Sequence, residues 1–193
     1  MLDALTLLKT RKSVTSNFLG PPGPSEAELA EMLSIAVHVP DHGKLAPWRF
    51  IMFTGDARRE AGETLAALFK AKNPEAPAGK VEEERTRLLS APLVVAVVST
   101  AAPHVKIPEW EQVLSAGNVA LSLVFAAYAF GYAAHWRTGF MAYDADARRA
   151  LGVADSERIV AVVHIGTPTV PKVDRPRPDV ARLVTHWGPP SRA

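Results

Sequence analysis

Trp110 to Phe130 reads as one unbroken helix, polar in its first turn and apolar nearly all round afterwards. A helix with no polar face is buried in the core of a sizeable domain or along the seam of a dimer. Whatever else this chain builds must therefore pack around it. Its most apolar part, Val119 to Phe130, is shorter than the roughly 20 residues a bilayer span needs, and Gly131 ends it. Two short Val-rich runs, Leu93 to Val98 and Ile159 to Ile165, read as buried central strands, the second closed by Gly166-Thr167-Pro168.

The remaining punctuation is local. Asp3 to Thr10 reads as a first helix with Ala4, Leu5 and Leu8 on one face, and Gly20-Pro21-Pro22-Gly23-Pro24 is a break. Ser25 and Glu28 form a capping box for a second helix with Leu29, Met32, Leu33 and Ala36 inward, ending before Pro40. Phe50 to Phe53 is a short strand, Ala57 to Lys72 a polar helix, Val81 to Leu89 a charged helix and Ala133 to Arg137 a strand. Asp144 caps a short helix to Leu151. Few strands among several helices, with no βαβ series, predict an α+β fold with a central mixed or antiparallel sheet. With no linker or repeat, residues 1–193 are expected to form a single domain. A Pro- and Arg-rich tail, about 171–193, cannot pack as a core element by itself and is expected to wrap a partner subunit.

Composition removes several functions. The 193 residues contain no cysteine, which excludes disulfides and thiol catalysis and fits a reducing compartment. A net charge of +2 is small, and no aromatic-interleaved basic stripe accompanies it, so no nucleic-acid partner is expected. The start Met1-Leu2-Asp3-Ala4 lacks the basic and apolar parts of a signal peptide. A cytoplasmic protein without a membrane partner is expected.

Three separated segments carry the polar groups. Arg11-Lys12-Ser13 places two cations and a hydroxyl where a helix ends, a set suited to a phosphate, although cations also suit a helix C-terminus for its own sake. Pro40-Asp41-His42-Gly43 is either an ordinary turn or a presentation of the His42 imidazole. His38 stands nearby, but Val39-Pro40 breaks the helix between the two and no third ligand is near, so no metal site is expected. Pro47-Trp48 reads as packing. Trp136-Arg137-Thr138-Gly139 ends a buried strand, where Arg137 must be paired, face a cleft or reach solvent. Ser99, Ser115 and Ser122 have no evident His/Asp partner. Glu109 and Glu111 are the carboxylates expected at a helix start, and His164 reads as a core histidine.

In order and spacing, these segments resemble the nitroreductase family of flavoproteins, and in particular its compact bacterial subgroup. The resemblance runs over nearly the whole chain. It is carried by Asp3-Ala4-Leu5 through Arg11-Lys12-Ser13, Ala36 to His42, Pro47-Trp48-x-Phe50, Ala91-Pro92-Leu93, Pro108-x-Trp110-Glu111-Gln112, Ser115-Ala116-Gly117, Trp136 to Gly139 and Gly166-Thr167-Pro168. It implies a nitroreductase-like fold and an obligate homodimer with the long apolar helix at its interface. FMN would lie between the subunits, with NADH or NADPH as reductant and a small-molecule oxidant such as a nitroaromatic or quinone. By the same resemblance Arg11, Lys12 and Ser13 bind FMN, Arg11 on the phosphate. His38 and His42 reach the other subunit's FMN, and Trp136, Arg137 and Thr138 complete the pocket. Arg137 has a possible electrostatic role at the reduced ring, and no certain catalytic residue is implied because the flavin bears the chemistry. A pyridine-nucleotide contact over Ala126, Ala127, Tyr128, Ala129, Phe130 and Gly131 is sometimes inferred for the subgroup, whereas the apolarity of that stretch reads as core. Two departures from the family pattern stand out. Lys44, Leu45 and Ala46 stand where relatives often have Asn and Gln, and His38 stands where the subgroup commonly has Arg. A non-catalytic flavin store or sensor, and a reductase of one special substrate, are the alternative readings.

Overall fold

The computed structural model describes residues 3–171 and 173–188. Five strands form one sheet: β1 (Leu19–Gly20), β2 (Trp48–Phe53), β3 (Leu93–Ser99), β4 (Ala133–Arg137) and β5 (Arg158–Pro168). The order is β1-β5-β3-β2, with β4 also paired to β5. Every pairing among the described residues is antiparallel. β3 is buried at every position, which is why its sequence is a continuous Val-rich run and not an alternating one.

Helices cover both faces. Odd-numbered positions of β3 and β5 (Val95, Val97, Val163, Ile165) enter a core built with α2 (Glu26–Ala36) and α5 (Glu109–Ala129). Even-numbered positions (Val94, Ala96, Val98, Val162) enter a second core, which contains Leu65 of α3 (Ala57–Lys72), Leu88, which follows α4 (Ala78–Thr86), Met141 of α6 (Phe140–Tyr143) and Ala147 of α7 (Ala145–Ala150). The period of two along each strand thus sorts one valine-rich run into two cores. α1 (Ala4–Thr10) has no buried residue of its own.

Ser25 and Glu28 make the reciprocal capping box the sequence predicts, and Asp144 accepts from the Ala147 amide as its cap. Asp3, read from the sequence as the first helical residue, is the N-cap and accepts from the Thr6 amide. One expectation is corrected. Gly166-Thr167-Pro168 does not end β5 but continues it, because Thr167 and Pro168 pair with Gly20 and Leu19. α5 as a whole is long and apolar enough to cross a membrane, with a mean hydropathy of 1.4, but 56% of that window is buried inside the protein, as in a core helix.

His164 lies fully buried on β5. Its Nε2 is 3.0 Å from the Arg87 carbonyl oxygen, and burial lowers its pKa from 6.5 to about 4. Unfolded, the ring takes a proton near its ordinary pKa; folded, it stays neutral. Its contribution to stability is therefore complete above about pH 6.5 and is lost as the pH falls towards 4. Urea midpoints are expected to fall across that window, and to fall less in His164→Gln, which removes the titrating group but keeps a donor.

Candidate functional site

The end of α1 and the start of the tail form a cationic pocket. Arg11 is the C-cap of α1, its amide donating to the Leu7 carbonyl. The next residue is pinned from below, because the buried Tyr128 of α5 donates its hydroxyl to the Lys12 carbonyl. The Arg11 guanidinium lies 5.8 Å from the Phe125 ring centroid, a cation–π distance. Arg11, Lys12 and Ser13 then line a cavity of about 300 Å³ together with Val173, Asp174, Arg175 and Arg177. Four cations thus face one carboxylate. Lys12 Nζ is 3.7 Å from Asp174, and Arg177 Nη2 donates to Asp174 Oδ1 at 3.1 Å. The tail arginines are functional candidates that the sequence reading did not assign; their only local signal was an Arg-rich composition far from Arg11.

A second, larger cavity, about 580 Å³, opens between β4, the Thr15–Leu19 segment and the end of α4. Side chains alternate along β4, so His135 and Arg137 share one face and Ala134 and Trp136 the other. Arg137 enters this cavity beside Thr15, Asn17, Glu83, Arg87 and His135. Its Nη1 donates to Ser16 Oγ at 3.1 Å, and Glu83 stands 3.8 Å from its Nη2. Desolvation, and then the neighbouring Arg87 charge, lower the Arg137 pKa. A guanidinium so placed favours an approaching anion or carbonyl oxygen. His135 is also desolvated and its pKa lowered, and its Nδ1 accepts from the Ser16 amide at 3.0 Å, which fixes the tautomer with the proton on Nε2. Trp136 and Thr138 line an adjoining opening with Arg137 and Gly139, and Thr138 Oγ1 accepts from the Tyr143 hydroxyl at 3.1 Å.

The histidines stand elsewhere. His38 is exposed after the end of α2. His42 is also exposed, its Nδ1 2.8 Å from Glu111 Oε2 on the first turn of α5. The turn that carries it is conformationally costly. Gly43 has φ +76° and a Cβ there would lie 2.2 Å from Ile107 Cδ1, while Lys44 and Ala46 hold φ +57° and +46°. Left-handed backbone costs an L-residue roughly 1–2 kcal/mol, and strain of this kind gathers at functional sites. No group of three or more His, Asp or Glu suited to a metal occurs among the described residues.

The sequence reading is therefore divided by the structure. Arg11, Lys12 and Ser13 share one cavity, and Trp136, Arg137 and Thr138 line another opening. Neither cavity is lined by His38 or His42. Ala126, Ala127 and Tyr128 are buried in the core beneath α1. Of the rest of the stretch inferred as a nucleotide contact, Ala129 and Phe130 are half-buried and Gly131 is exposed.

Comparison with known proteins finds relatives over most of the chain. The family model described as Nitroreductase family matches residues 8–167. The chain is 37% identical over 169 residues to a Haemophilus influenzae protein named "Putative NAD(P)H nitroreductase", covering 86% of this chain and 89% of that one. It is 31% identical over 167 residues to "Putative NAD(P)H nitroreductase YdjA" of Escherichia coli K12, with the same coverage. Among solved structures it resembles a nitroreductase-like family protein from Bacillus cereus, with a TM-score of 0.81, 20% identity and 97% of each chain covered. It also resembles the FMN and NADPH-dependent nitroreductase NfnB from sphigopyxis sp. strain HMH, with a TM-score of 0.73, 19% identity and 97% and 100% covered. At such identities these two likenesses establish the fold.

Proposed function

The chain belongs to the nitroreductase family, and from that premise we propose that it is a cytoplasmic FMN-dependent oxidoreductase that takes electrons from NADH or NADPH and delivers them to a nitroaromatic, a quinone or a related small oxidant. The observation that carries this reading is the charge of the smaller cavity. Arg11, Lys12, Arg175 and Arg177 surround it against Asp174 alone, an excess that suits the dianionic phosphate of FMN. Arg11 and the tail arginines offer forked donors, Lys12 a point charge and Ser13 a hydroxyl.

FMN bound there, its phosphate held by Arg11, Lys12, Ser13 and the tail arginines, would supply two-electron redox chemistry between the nicotinamide and the oxidant. The chain positions the cofactor and tunes its charge. Arg137 and the adjacent Thr138 and Gly139 backbone would favour negative charge on the ring, and Ser16, itself bonded to His135, holds the Arg137 side chain in place. The net reaction consumes one hydride from the nicotinamide and one proton from solvent, and no protein acid is required.

The separation of His38 and His42 from these cavities supports a homodimer in which the turn of one copy completes the site of the other. Trp110, Leu114 and Leu121 on α5 are exposed in the single chain, as a helix awaiting a partner would leave them. The exposed tail with Val180, Leu183, Val184 and Trp187 is read as wrapping that partner; Lys172 and residues 189–193 of the tail lie outside the described residues.

The decisive test is anaerobic. The yellow holoprotein is expected to bleach on addition of NADH or NADPH and to recolour with a nitro compound. Flavin that binds without bleaching would mark a store or sensor instead. Arg11→Ala is expected to weaken FMN binding by about 1.5–3 kcal/mol, the worth of a charge-assisted hydrogen bond. Fluorescence titration of the apoprotein measures it, and unchanged affinity would remove Arg11 from the phosphate.

A further inference from the structure

Two of the four cations of the smaller cavity, Lys12 and Arg177, already hold an anion, and it belongs to the chain. Asp174 Oδ2 is 3.7 Å from Lys12 Nζ. Asp174 Oδ1 accepts from Arg177 Nη2 at 3.1 Å and from the Arg175 amide at 2.9 Å. One carboxylate therefore collects donors from the body of the protein and from the tail, and it does so inside the cavity that Arg11 and Ser13 also line. A carboxylate and a phosphate ask the same things of such a seat: forked or convergent N–H donors and uncompensated positive charge. Both cannot be held there at once without placing like charges in contact.

We infer that Asp174 is the built-in occupant of the phosphate seat, displaced when a phosphate monoester binds, and that it sets how tightly this chain holds its cofactor. The inference rests on the reading of the site as an FMN site but concerns a residue which that reading does not use. In the unliganded chain Asp174 neutralises part of the cation cluster and draws the tail onto the body through Lys12. On binding, the phosphate takes over Lys12 and Arg177, and the Asp174 side chain turns out of the cavity while Arg175 and Arg177 stay. The cofactor is then held less tightly than the cations alone would hold it.

A plain tether makes the opposite prediction. If Asp174 served only to fasten the tail, its removal would loosen Arg175 and Arg177 and weaken FMN binding. The sign of one measurement separates the two. Asp174→Asn is expected to tighten FMN binding to the apoprotein by about 5- to 20-fold, the scale of one charge removed at contact distance in a partly aqueous cleft. A gain of affinity cannot come from misfolding. Asp174→Glu, which keeps the charge, is expected to bind FMN as the native chain does. Riboflavin, which lacks the phosphate, is expected to respond to neither substitution. Unchanged or weaker FMN binding in Asp174→Asn, or equal tightening in Asp174→Glu, would overturn the inference and leave the flavin reading standing. Calorimetry with inorganic pyrophosphate separates the two claims from the other side. Tightening of pyrophosphate by Asp174→Asn without binding of either flavin would uphold the phosphate seat and refute the FMN reading. If neither flavin nor pyrophosphate binds any of the three proteins, the seat itself is refuted.

Discussion

Glu84→Ala is expected to destabilise the protein by about 3–5 kcal/mol, the cost of leaving one partner of a buried ion pair alone. Glu84 and Arg87 have side chains each only 7% exposed. Arg87 Nε donates to Glu84 Oε2 at 2.8 Å, and its Nη2 donates to the other carboxylate oxygen. The other nearby carboxylate is Glu83, 3.4 Å from Nη2 and 45% exposed, too solvated to replace Glu84. The pair also supports the larger cavity. Arg87 packs against the turn after β4 closely enough that a Cβ on Gly139 would lie 3.3 Å from its Nη1. Its carbonyl is held by His164 from the central strand. Against a typical total stability of about 5–15 kcal/mol, this loss would leave the apoprotein marginal. Urea unfolding measures it. The double variant Glu84→Ala/Arg87→Leu is expected to recover part of the loss, because a buried pair replaced by apolar groups is often neutral, whereas a half-pair is not. A cost below about 1 kcal/mol for Glu84→Ala would place the pair in the solvent-screened class of surface bridges.

The elements that the sequence announces are those decided within a few residues. The Ser25/Glu28 capping box, the Ala57–Lys72 helix and the Ala133–Arg137 strand lie where caps, period and Gly breaks put them. The errors have a common origin in pairing across the chain. Gly166-Thr167-Pro168 carries every local sign of a terminator, but β1 passes beside it and supplies a partner for two more residues. Pro168 is tolerated because it stands at the very end of β5, where the missing amide costs no central ladder bond. β1 itself, two residues at the entry to a Gly/Pro run, has no local signature. The same holds for the site. Arg11-Lys12-Ser13 was visible as a cationic helix end, but no local pattern ties it to Arg175 and Arg177, which only the return of the tail brings to the same cavity. Arg137 was legible as a charge that had to be paired or face a cleft; that it does both, with Ser16 and Glu83 beside a cavity, is a fact of tertiary packing.

Leu114→Arg is expected to give a monomer that does not retain FMN. Trp110, Leu114 and Leu121 fall at i, i+4 and i+11 on α5, one stripe along the helix, and are 63%, 56% and 38% exposed in the single chain. Gly117 sits in the same stripe at i+7, and a Cβ there would meet nothing within 4 Å, so its flat surface admits the close approach of a second helix. Leu5 and Leu8 of α1, 66% and 58% exposed, extend the uncovered apolar surface. Stable dimers of this kind bury about 2,000 Å² or more, and an arginine in the seam would have to be desolvated twice across a two-fold axis, each time without a partner. The effect on the cofactor follows from the layout of the site. Glu111, one helical turn before Ser115 on the same α5, holds His42 through a 2.8 Å contact, and His42 lines neither of the two cavities described above. In the proposed dimer, separating the copies would remove one side of the lining while leaving each fold intact. Light scattering at micromolar concentration and flavin content after gel filtration check both halves, with Leu114→Met as the control expected to stay dimeric and yellow. A Leu114→Arg monomer that keeps its full flavin would show that one chain encloses the cofactor alone, and a dimer that persists would place the seam on another face.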